Sequence, residues 1–96
     1  MTLLGKSILS KFILKHTDAA EPIRAWAKEV ESSTWTSPAD IKTRYQSVSI
    51  ISKILFVFNI KGNTYRVVAL INFPLKLVRV LKLGTHAEYS KWGTLR

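Results

Sequence analysis

The stretch from Ile54 to Ile71 limits what this chain can fold into more than any other. Alternating β-branched and aromatic residues flank Gly62-Asn63, a pair that supplies the positive φ angles a two-residue hairpin turn requires. The pattern predicts strands over Ile54–Lys61 and Thr64–Ile71, pairing Lys61 with Thr64, Ile60 with Tyr65, Asn59 with Arg66 and Phe58 with Val67. Side chains alternate across a strand. One face therefore collects Ile54, Phe56, Phe58, Ile60, Tyr65, Val67, Ala69 and Ile71, and is assigned to the core. The other collects Leu55, Val57, Asn59, Lys61, Thr64, Arg66 and Val68, an open face whose polar groups gather near the turn. A third strand over Leu77–Leu83, reached through the Pro74 loop, is expected to turn Val78 and Val80 inward and Arg79, Leu81 and Leu83 to the open face.

Upstream the apolar spacing becomes helical. Met1–Leu4 reads as a short edge strand, and Lys6–Lys15 as a helix with Ile8, Leu9, Phe12 and Ile13 on one stripe. Asp18 and Glu21 have capping-box spacing, with Pro22 in the first turn of a helix that buries Ile23, Trp26, Ala27 and Val30. Ser37, Pro38 and Asp40 mark the start of a third helix running to about Tyr45. Helices first and strands after indicate an α+β fold. Residues 1–96, with 47% hydrophobic side chains, are expected to form a single domain.

Fifteen Lys and Arg against six Asp and Glu give a formal charge of +9, which predicts attraction to a polyanion, nucleic acid foremost. A merely solvated basic surface and an acidic protein partner are the alternatives. No cysteine is present, which excludes disulfides, thiolate catalysis and Cys-based metal sites. Lys6, Lys11 and Lys15 lend the first residues a resemblance to a targeting segment, but Lys6 and Lys11 interrupt any signal core, so folded structure in a cytoplasmic protein is expected. The apolar runs are broken by Lys53, Lys61, Arg66 and Lys76. None approaches the ~20 residues needed to span a bilayer, so no membrane partner is expected.

RNA can be cut without a metal or other cofactor when its own 2'-hydroxyl attacks the neighbouring phosphorus, given proton-transfer groups and a cation for the developing charge. Arg66 is the best phosphate clamp, because its planar fork matches two phosphate oxygens. In Gly84-Thr85-His86-Ala87-Glu88-Tyr89, His86 suits proton transfer near neutrality, and Tyr89 can hydrogen-bond or stack on a base. Asn59 and Asn63 are candidate RNA contacts; Lys61, Arg79 and Lys82 are weaker ones for the RNA backbone, with Lys82 expected to point away from the site. Glu88 and Asp40 form no carboxylate pair, and neither His16 nor His86 has metal-ligand spacing. The bland reading is a solvated sheet face with Arg66 paired to a helix carboxylate and Tyr89 as a C-terminal anchor.

Four blocks in fixed order, Lys15-His16-Thr17-Asp18-Ala19, Trp35 to Lys42, Phe58 to Arg66 and Gly84 to Tyr89, resemble the HigB-type toxins of bacterial type II toxin-antitoxin systems, within the RelE superfamily. The resemblance implies a RelE-like fold, N-terminal helices on a small, mainly antiparallel sheet. It also implies a ribosome-dependent endoribonuclease that cuts mRNA during translation and docks on ribosomal RNA, with a HigA-like helix-turn-helix antitoxin as partner. On this resemblance Arg66 matches the arginine after the hairpin turn, His86 lies where the superfamily keeps a catalytic basic residue, and Tyr89 is close to its catalytic tyrosine. The chain departs from the pattern at Leu55 and Leu81, where similar toxins often carry basic residues, and at Ser90, which follows Tyr89 in place of the usual Asp. Arg79 has the strand parity to substitute for a charge at Leu81. A degenerate toxin, binding RNA or antitoxin without cleavage, is the second reading, and a membrane-active basic peptide a distant third.

Overall fold

The computed structural model describes residues 1–92. Strand β1 (Thr2–Leu4) leads into helix α1 (Lys6–Lys15); a 3-10 turn over Thr17–Ala19 precedes α2 (Ala20–Ser32), and α3 (Pro38–Arg44) follows. Strands β2 (Ser49–Ile50), β3 (Leu55–Ile60), β4 (Tyr65–Asn72) and β5 (Leu77–Thr85) come next, and α4 (His86–Ser90) closes the described chain. The sheet order is β1-β5-β4-β3-β2, with only β1 parallel to its neighbour. This is an α+β fold of the expected RelE-like kind.

The predicted register holds at Ile60–Tyr65, Asn59–Arg66 and Phe58–Val67. The turn differs in detail. Its positive φ angles fall on Lys61 (52°) and Gly62 (63°) rather than on Gly62 and Asn63. The ladder stops at Ile60–Tyr65, and Thr64 N–H closes the turn on the Lys61 carbonyl at 3.2 Å.

Helices α1, α2 and α3 supply Leu9, Ile23, Trp26, Val30 and Ile41 to a core whose floor is Phe56, Phe58, Ile60, Tyr65, Val67, Ala69, Ile71, Val78 and Val80. Phe58 is fully buried and touches three rings, edge-on to Trp26 (5.2 Å between centroids) and Tyr45 (5.3 Å) and stacked on Trp35 (6.3 Å). Ile54, expected in this core, precedes β3 and is 54% exposed. The capping box expected from Asp18 and Glu21 does not form either. The N-cap of α2 is Ala19, without a side-chain bond, because Asp18 accepts instead from Lys61 Nζ (2.7 Å) and the Tyr65 hydroxyl (2.6 Å). Two ionisable or strongly polar donors outcompete a backbone amide for that carboxylate.

One irregularity positions the candidate site. Between β4 and β5 the register shifts, so that Ala69 faces Val80 while Val68 faces Lys82. Leu81 is the extra residue of a β-bulge, which reverses the facing of everything after it. Leu83 accordingly packs against the core rather than on the open face. Lys82, expected to point away, joins Arg66 and Val68 on the site face.

Candidate active site

Arg66 sits near the start of β4, the central strand of the sheet, opposite Asn59 on β3 and Gly84 on β5. It is 8% exposed. One terminal nitrogen, Nη1, donates to the carbonyls of Asn63 (2.8 Å) and Tyr65 (3.4 Å), and the other, Nη2, lies 3.1 Å from His86 Nδ1. No carboxylate among the described residues pairs with it, against the expectation that would have made it structural. Hydrogen bonds to a charged group contribute about 1.5–3 kcal/mol each. Three such bonds offset the desolvation of the guanidinium and leave its charge uncompensated.

The imidazole is held by α4. Thr85 is its N-cap; the Thr85 hydroxyl accepts from Glu88 N–H (3.2 Å) while Glu88 Oε1 accepts from Thr85 N–H (2.9 Å), a complete capping box. That backbone donor holds the Glu88 carboxyl below its ordinary range. His86 N–H donates to the Thr64 carbonyl at 3.1 Å, tying the start of α4 to the hairpin turn. A guanidinium has only donors, so His86 Nδ1 accepts from Arg66 and the neutral ring carries its proton on Nε2. His86 itself is exposed.

Tyr89 follows one turn later, with the Arg66 guanidinium 5.5 Å from its ring centroid. Trp92 stands edge-on to Tyr89 at 5.9 Å and lies under Lys82 Nζ at 5.3 Å. Gly84 makes room for it, since a Cβ there would come within 2.7 Å of the indole. The face is therefore less open than the sequence suggested. Val57 and Val68 are buried on it, and α4 packs against β4 and β5. Sequence reading missed α4 and Trp92; the Thr85–Glu88 capping-box spacing was the available signal.

The remaining predicted contacts separate. Asn59 donates to the Ser47 carbonyl at 3.2 Å, and Asn63 is exposed at the turn with its carbonyl engaged by Arg66. Lys61 is drawn to Asp18 and lies off the Arg66 face. Arg79 is exposed opposite Leu70, four residues along β4 from Arg66 and so about 13 Å away.

A buried cation without a carboxylate, bonded to an exposed imidazole and set against the ring of Tyr89, can accept an anion, donate a proton and stack a base. Residues 19–92 match the family model of HigB toxins, described as the RelE-like toxic component of a toxin-antitoxin system. The chain belongs to the HigB toxin family. It is also similar to the mRNA interferase HigB of Escherichia coli O6:H1 (strain CFT073), 24% identical over 93 residues that cover 95% of this chain and 90% of that protein. The matched HigB region takes in Arg66, His86, Tyr89 and Trp92. No helix among its described residues is long and apolar enough to cross a membrane.

Proposed function

We propose that this HigB-family toxin is an endoribonuclease that cuts mRNA on the translating ribosome in the cytoplasm, and that a HigA-like helix-turn-helix antitoxin neutralises it. The reading rests on one observation above the others: the Arg66 guanidinium has no carboxylate and is bonded to His86 Nδ1. In this mechanism Arg66 takes the charge that develops on the scissile phosphate. The 2'-oxygen bonds to phosphorus as its proton leaves, the bond from phosphorus to the 5'-oxygen breaks, and that oxygen gains a proton. The imidazole of His86 takes part in this proton transfer, with its Nε2–H turned outward from the Arg66 bond. Tyr89 stacks on or positions the adjoining nucleotide. The reaction as drawn is carried by protein side chains and the RNA's own hydroxyl.

Lys82, brought to this face by the bulge, and Arg79 further along it contact the RNA backbone. Docking on ribosomal RNA through a surface of +9 formal charge weakens steeply with salt. The deciding experiment maps new 5' ends on translated mRNA for the wild type beside His86→Ala. Cleavage by the wild type alone supports the mechanism, and equal cleavage removes His86 from it. Absence of cleavage by either protein favours the binding module, a reading that the leucines at positions 55 and 81 also suit.

A further inference from the structure

On the side of the sheet away from Arg66, α1 and α2 lie antiparallel, since Lys6 at the start of α1 pairs with Glu31 at the end of α2 at 2.8 Å. Between them runs a groove of about 500 Å³. It extends along α1 from Lys6 to Leu14, about 12 Å at the helical rise. That length accommodates two turns of another helix. Its floor is apolar, built from Leu9, Ile13, Ile23 and Ala27, and Leu14 stands at its lip 81% exposed, the most exposed large hydrophobic side chain among the described residues. Its rim is basic. Arg24 and Lys28 line it without a carboxylate partner among the described residues, and Lys6 already neutralises Glu31, the one acid present.

These features select one class of occupant. Nucleic acid would use the cations, but no aromatic side chain lines the groove to stack a base, and aliphatic side chains offer RNA nothing. An amphipathic helix uses both, laying anchors at i, i+3 or i+4, and i+7 on the floor and acids against the rim. We propose that this groove seats an acid-rich amphipathic helix of a protein partner. Its identity as the antitoxin rests on the toxin reading above; the groove and the chemistry it selects do not.

Nitrogen-labelled protein titrated with designed helical peptides tests this by amide chemical shifts. One peptide carries Leu at i, i+4 and i+7 with Glu elsewhere; one twin replaces Glu by Lys, another replaces Leu by Ser, and a short RNA oligonucleotide is the fourth probe. Shifts along α1 and α2 with the acidic amphipathic peptide alone are expected. Leu14→Ser and Lys28→Glu, both on exposed positions, each weaken its binding by roughly tenfold or more. No shifts on these helices, equal shifts with either twin, or the same amides moved by the RNA would overturn the proposal. The mRNA cleavage of Leu14→Ser is expected to equal the wild type. Failure of cleavage in the wild type would sink the nuclease reading and leave the peptide result standing, and the reverse holds equally.

Discussion

Arg66 Nη2 and His86 Nδ1 stand 3.1 Å apart although twenty residues separate them in the chain. The contact fixes the tautomer of His86 and makes the two groups one unit. Arg66→Lys is therefore expected to lose cleavage nearly as fully as Arg66→Ala, because an ammonium cannot bond two carbonyls and an imidazole in the same fork. His86→Ala is expected to lower the cleavage rate by about 10²–10⁴ and also to lower the melting temperature, because it removes a bond to the buried Arg66 guanidinium that contributes about 1.5–3 kcal/mol. Single-turnover rates on programmed ribosomes and thermal melts check both. An Arg66→Lys variant with full activity would sever the guanidinium from the chemistry.

Gly84 lies directly across from Arg66 on β5, and the indole of Trp92 occupies the space its missing side chain leaves. Gly84→Ala is expected to push Trp92 and α4 away from the sheet, while the core behind β5 stays intact. Removal of the Thr85 cap by Thr85→Ala acts on the same helix and costs about 1 kcal/mol. Hydrogen exchange at the α4 amides should speed up in both variants. Restoration of normal exchange in Gly84→Ala by the second change Trp92→Ala would identify the clash as the cause.

Lys82 and Lys61 make opposite predictions. Lys82 shares a face with Arg66, so Lys82→Ala is expected to reduce the salt dependence of RNA binding by about one released counterion. Lys61 is held by Asp18 at 2.7 Å on the other side of the hairpin, so Lys61→Ala should leave that slope unchanged. Affinity measured across a salt series with a non-cleavable 2'-deoxy oligonucleotide distinguishes them. A lowered slope for Lys61→Ala alone would reverse the facing assigned by the bulge.

The folded state resists acid through three carboxyls. Asp18 is held below its usual 3.8 first by the bond from Lys61 and then by that from Tyr65; Asp40 is lowered first by the Thr36 backbone N–H, and Glu88 first by that of Thr85. A depressed carboxyl binds its proton less tightly folded than unfolded, so its contribution is complete above the unfolded value and disappears as pH falls through the folded one. Melting temperature should therefore be flat from neutrality to about pH 5 and decline below that. Asp18→Asn should melt lower than the wild type at neutral pH, with the gap narrowing in acid. Tyr65, raised by its bond to Asp18, works in the other direction: its contribution is complete below the ordinary phenol pKa and lost as pH climbs past the raised value.

Local chemistry was enough to write the hairpin register and the helix over Lys6–Lys15, whose bounds the structure reproduces. Strand alternation and helical spacing act between near neighbours, so a single chain displays them, and the same alternation placed Arg66 opposite Asn59. The pattern could not reveal the bulge at Leu81, because an extra residue in β5 leaves no local mark and depends on how β4 and β5 seat on the core. Asp18 looked like a helix cap until the fold delivered Lys61 and Tyr65 from more than forty residues away. Helix α4 has five residues, too few for any periodicity to show. Side-chain identities along the chain therefore set which groups were available for chemistry. Which of them meet was settled by packing, since long-range partners compete for each charge only once the sheet has closed against its helices.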